Sequence, residues 1–119
     1  MRFSMAEYKR SSRVGDQIRM EIAETLMTRV KDPRIGFVTV TAVEVSDDLR
    51  NAKVFVSVLG PDVGRTFEGL NAARSFIRSE LGRRLNLRFV PELSFHEDHT
   101  AEEAARLTKL MDEMKEPRS

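Results

Sequence analysis

Apolar residues recur at every fourth position from Val14 through Ile18, Ile22 and Leu26 to Val30, with Gln17, Glu21, Glu24 and Thr28 opposite. That spacing lines the apolar set along one side of a helix. Ser11 and Ser12 stand before the series, and Asp32-Pro33 with Gly36 stops it near Lys31, because proline disfavours helical geometry in the residue before it. From Phe37 to Val45 the period changes to two in the β-branched run FVTVTAVEV, and a phase slip at Ala42-Val43 predicts a bulge. After the turn-rich Ser46-Asp47-Asp48-Leu49-Arg50, residues Ala52, Val54, Val56 and Val58 alternate with Lys53, Phe55, Ser57 and Leu59. The two runs predict an antiparallel hairpin. Gly60-Pro61-Asp62 breaks the pattern, and Phe67, Leu70, Ala73, Ile77 and Leu81 then return to helical spacing as far as Asn86, a stretch long enough that a bend or break is expected. LRFVPELSF, residues 87–95, predicts a third strand with Pro91 at a bulge or an edge. A final amphipathic helix is expected over 101–114. The order α-β-β-α-β-α, with a long helical crossover, predicts a small α+β layer fold.

Composition narrows the function classes. At 119 residues, with 40% hydrophobic and 33% charged side chains and a mean hydropathy of −0.39, the chain suits one soluble globular domain. It has no cysteine, which excludes disulfides, thiolate zinc sites, iron–sulfur clusters and a cysteine nucleophile. The first ten residues lack the apolar core of a secretory signal, so a cytoplasmic protein is expected. The net charge of +1 hides an asymmetry: residues 64–90 carry six basic and two acidic side chains, whereas 91–119 carry four and eight. A basic body with an acidic end suits a polyanionic partner.

Two motifs approach catalytic patterns and miss them. Gly60-Pro-Asp-Val-Gly64-Arg65-Thr66 follows a strand and precedes a helix, as a phosphate-cradling loop does, but its glycine spacing is one residue short and arginine stands in place of the lysine. His96-Glu97-Asp98-His99 lacks the spacing that sets two imidazoles one turn apart around zinc, and a solvated loop is expected there. More informative is NAARSFIRSELGRR, residues 71–84. On a helical projection Asn71, Arg74, Ser75, Arg78, Ser79, Gly82 and Arg83 share one half of the circumference, with no acid among them, while Leu70, Ala73, Phe76, Ile77 and Leu81 share the other. Arginine forks and serine hydroxyls suit phosphates, and Gly82 would let a nucleic-acid backbone come close. Lys9, Arg10 and Arg13 near the first helix, and Lys31 and Arg34 after it, would extend the footprint.

These stretches carry a resemblance. RVGDQIRMEIAETLMTRVKDPRIGFVTVTAVEVSDDLRNAKVFVSVLG, followed by FIRSELGRRLNLRFVPELSFHED, resembles the bacterial ribosome-binding factor A family, most specifically in the KDPRIG turn, the DLRNAKVFVS strand start and the PEL.F block. The resemblance implies a type II KH-like domain over 9–98, α-β-β-α-kink-α-β with a three-stranded sheet packed on helices, preceded by a flexible extension over 1–8 and followed by an acidic helical tail over 99–119. It also implies an Ala-x-Gly kink in place of the GxxG loop of ordinary KH domains. Here Ala73-Arg74-Ser75 occupies the kink, with serine where the family has glycine. The implied function is late maturation of the small (30S) ribosomal subunit: binding free subunits and assisting 5′-end processing of 16S rRNA from its precursor. The expected protein is a cytoplasmic monomer without catalysis or cofactor, engaging neither DNA nor membranes. A free-standing regulator of messages or small RNAs is the alternative within RNA binding, and a nuclease is the enzymatic one.

Overall fold

The computed structural model describes residues 10–115; the extension expected at 1–8, and Lys9, lie outside them. Helix α1 (Arg10–Thr28) leads into the hairpin β1 (Phe37–Val45) and β2 (Asn51–Leu59). Helices α2 (Val63–Ala72) and α3 (Arg74–Leu85) follow, then β3 (Glu92–Glu97) and α4 (Thr100–Lys115). The sheet order is β1-β2-β3, with β1 and β2 antiparallel and β2 and β3 parallel. A parallel pair needs a long crossover, and the α2–α3 pair supplies it. The order α-β-β-α-kink-α-β with a helical tail is thus the expected one, in an α+β fold.

Alternation explains the layering. Ala52, Val54 and Val56 of β2, Val40 of β1 and Leu93 of β3 are buried against Ile18 and Ile22 of α1, Leu70 of α2, and Ile77 and Leu81 of α3. Each of the valine, leucine and isoleucine side chains among them contributes roughly 1.5–3 kcal/mol on burial. The other sheet face stays half open, where Phe55 and His96 lie 5.5 Å apart. The bulge falls between Val40 and Ala42, one residue earlier than the phase slip suggested. The unpaired residue is Thr41, whose Oγ1 donates to Asp98 Oδ2 at 2.6 Å and so ties β1 to the chain leaving β3.

Three boundaries differ from the sequence pattern. α1 ends at Thr28 instead of near Lys31, because Arg29 and Val30 both donate to the Thr25 carbonyl and Asp32 then organises the next turn. The buried line of α1 also includes Ser11, Gly15 and Thr25, so its packing face is set partly by small residues. At Gly15 an added Cβ would stand 2.7 Å from the Val43 carbonyl oxygen, which marks where the helix backbone meets β1. Strand β3 begins at Glu92 instead of Leu87, because Asn86 ends α3 in a left-handed conformation (φ 53°) and Pro91, which lacks an N–H, immediately precedes the first paired residue. β3 runs on through His96 and Glu97, so only Asp98 and His99 of that cluster lie in a connection.

Candidate nucleic-acid interface

Glu21 and Glu80 fix how α1 and α3 lie together. Glu80, 7% exposed, accepts two hydrogen bonds from Arg83 Nη2 (3.0 and 2.9 Å) and one from Arg84 Nε (3.2 Å), and Arg29 Nε lies 3.5 Å away. Arg84 also stands 3.5 Å from Glu21, and Arg29 3.7 Å. Residues 21 and 29 thus face 84 and 80, and the two helices run antiparallel. The Arg83 hydrogen bonds, with that of Arg84, hold the Glu80 carboxyl below the ordinary carboxylate range against the effect of its burial. The α3 face is therefore not free of acid partners, as the helical projection suggested: a carboxylate placed between its two halves reaches around to Arg83. Sequence reasoning missed this network, in which Arg29 and Arg84 serve packing between helices.

The α2–α3 break sits at Ala73, whose φ of −85° and ψ of −3° are too flat for a helix interior. Ile77 resumes the ladder by donating to the Ala73 carbonyl. Ser75 lies inside α3 without a positive φ, so the kink forms without glycine at that position. Asn71, Arg74 and Ser75 are exposed around the break. Beside them packs the turn after α1: at Gly69 an added Cβ would meet Ile35 at 2.7 Å and Arg34 Cβ at 3.2 Å, so the close approach of the KDPRIG turn uses that glycine. Within this turn Arg34 Nε and Nη2 hold both oxygens of Asp32 at 3.0 and 2.7 Å, which lowers the Asp32 carboxyl to about 2. Lys31 is exposed next to this clasp.

Other predicted site residues are placed elsewhere. α1 has 19 residues, so its start, with exposed Arg10 and Arg13, lies about 28 Å from the turn carrying Lys31 and Arg34. The two ends of the predicted footprint thus stand a helix length apart. Arg78 turns inward: Nε donates to the Pro91 carbonyl at 3.0 Å, Nη2 to the Val90 carbonyl at 2.9 Å, and Glu92 lies 3.3 Å away. It clamps the segment between α3 and β3. Gly82 likewise faces the protein, since a Cβ there would meet Val90 at 3.0 Å. Ser79 remains exposed, and the Arg83 side chain is 64% exposed despite its bonds to Glu80. The glycine-flanked loop is a helix start, where Asp62 Oδ1 accepts from Arg65 N at 3.0 Å. In the histidine cluster, His96 pairs with Ser94, and His99 with Glu102 and Glu97.

The family model for ribosome-binding factor A matches residues 10–111, from the start of α1 into α4. The chain belongs to the ribosome-binding factor A family. The Thioalkalivibrio sulfidiphilus ribosome-binding factor A is 51% identical over 108 residues, covering 89% of this chain and 84% of that one. The Syntrophobacter fumaroxidans ribosome-binding factor A is 46% identical over 112 residues, covering 91% and 96%. A homology model of Thermus thermophilus ribosome-binding factor A, fitted into a cryo-electron-microscopy map of its complex with the 30S subunit, is 27% identical with a TM-score of 0.66, and the match covers 76% of this chain and 97% of that one. For a ribosome-binding factor A chain the exposed group at the kink has the chemistry to meet phosphates: an exposed arginine fork, a serine hydroxyl, an asparagine amide and a nearby lysine.

Proposed function

We propose that this chain is an assembly factor of the small ribosomal subunit: it binds free 30S subunits and assists late maturation and 5′-end processing of 16S rRNA from its precursor, as a monomer and without catalysis. The observation that carries the reading is the grouping of Asn71, Arg74 and Ser75 around the Ala73 break beside Lys31 and Arg34, in a chain of a family whose Thermus thermophilus member is seen on the 30S subunit. A KH-like domain without a GxxG loop meets folded RNA through shape and phosphate contacts, with little base readout. It acts by differential binding, since a factor with equal affinity for two rRNA conformers shifts neither. Gradient sedimentation of cell extracts tests this: the chain should travel with free small subunits and be absent from translating ribosomes. Recovery with individual transcripts, away from ribosomal particles, would support the regulator instead.

A further inference from the structure

The start of α1, the turn between β1 and β2, and the segment between α3 and β3 enclose a groove of about 630 Å³ at the end of α3 away from the kink. The Glu92 N–H donates to the Arg50 carbonyl at 2.8 Å, which draws two of its walls together. Three arginines line it, Arg10, Arg50 and Arg88, and among the described residues none of their guanidinium groups makes a side-chain hydrogen bond or ion pair. The two acids in its lining have hydrogen-bond or ion-pair partners outside these three guanidinium groups: Asp48 accepts from Ser46 Oγ and Arg50 N at 2.6 and 3.0 Å, with the Arg50 charge acting on it only at longer range, and Glu92 pairs with Arg78. The groove also holds Phe89, 76% exposed, with the Arg88 guanidinium 5.9 Å from its ring centroid.

We propose that this groove takes an unpaired nucleotide of RNA, its base stacked on Phe89 and its phosphates met by Arg10, Arg50 and Arg88. The inference rests on the RNA-binding reading above and adds a second RNA-binding point at the opposite end of α3. A water-exposed aromatic ring beside unpaired guanidinium groups is the combination that holds single-stranded nucleic acid, because any base offers a π-face and the backbone offers the charge. An acidic peptide would satisfy the arginines and leave the ring unused. The ring is also held ready. Arg78 grips the carbonyls of Val90 and Pro91 directly after it, and across the groove Leu49 is kept at φ 62°, a strained conformation of the kind that collects at ligand sites.

The test uses the full chain and two fluorescent probes, a six-residue oligouridylate and an abasic ribose-phosphate oligomer of equal length, with binding read by anisotropy. Phe89→Ala should weaken oligouridylate binding about tenfold and leave the abasic probe unchanged, while Phe89→Tyr stays within about twofold of the original protein. Arg88→Ala should weaken both probes. Because the ring is exposed, the urea midpoint of Phe89→Ala should match that of the original chain. The proposal is overturned if the original chain fails to bind oligouridylate, or if Phe89→Ala binds it equally well or weakens both probes alike. A fall in small-subunit affinity alone, with oligouridylate binding intact, also overturns it and makes the groove a protein-binding surface. Failure of the original chain to sediment with free small subunits sinks the assembly-factor reading without deciding the groove.

Discussion

Gly15→Ala tests the placement of α1 on the sheet. The new methyl group would stand 2.7 Å from the Val43 carbonyl oxygen and 3.6 Å from a methyl of Val45, and the first of these is closer than a carbon and a backbone oxygen tolerate. A rigid carbonyl in a paired strand cannot step aside as a side-chain end can, so the helix must lift. Overpacking of this kind costs about 1–3 kcal/mol, and alanine returns about 0.8–1 kcal/mol through its helix preference. The net expectation is a loss of about 1 kcal/mol. Gly64→Ala is the control, since Gly64 also lies in a helix but nothing stands within 4 Å of its added Cβ; it should gain about 0.4–1 kcal/mol. Urea unfolding of the two variants should therefore separate them by roughly 1.4–2 kcal/mol, in opposite directions from the original chain. A Gly15→Ala protein as stable as Gly64→Ala would refute the close approach of α1 to β1.

Three further outcomes follow from named interactions. Asp98 is held at about 2, against 3.8 normally, by hydrogen bonds from Thr100 and Thr41; its contribution is fully present above about pH 4 and disappears as pH falls toward 2. Asp98→Asn should therefore flatten the acid side of the stability profile, and an acid limb identical to the original's would remove that link. Ser75→Gly should cost about 0.5–1 kcal/mol, because Ser75 is an ordinary helical residue; a gain in melting temperature would mean the backbone there is strained after all. Deleting residues 100–119 should lower the urea midpoint by no more than the loss of the Thr100 hydrogen bonds to Asp98, since the described side chains of α4 are exposed from Glu102 to Met114, and unfolding of the truncated chain would make the tail structural.

Local pattern carried the element order well, for reasons visible in single residues. The Val54 and Val56 alternation and the Ile18 and Ile22 spacing each report one buried face, and those are the faces that meet in the core. What the pattern could not carry was set by partners distant in the chain. Arg78 looked like part of a phosphate-facing stripe, yet its acceptors are carbonyls 12 and 13 residues onward. Glu80 sat between the two halves of a projected helix, and only the antiparallel docking of α1 brings it Arg29. Phe89 and Arg88 read as strand residues because LRFVPELSF alternates, whereas the left-handed Asn86 and Pro91 keep that segment out of the ladder and leave the ring in solvent. The candidate site was thus legible as a set of residue types and illegible as a surface: helix length separates Arg10 and Arg13 from Lys31 and Arg34.

Affinity for free small subunits carrying precursor 16S rRNA, measured across salt concentrations for the original chain and the double variant Lys31→Glu and Arg74→Glu, tests the central claim most directly. Both side chains are exposed, so the variant should keep the original urea midpoint. It should bind much more weakly, and its log–log salt dependence should be shallower by roughly 0.7–0.9 for each phosphate that it no longer neutralises. An affinity and a salt slope equal to those of the original chain would contradict the account and remove the kink end of α3 from the RNA-binding surface.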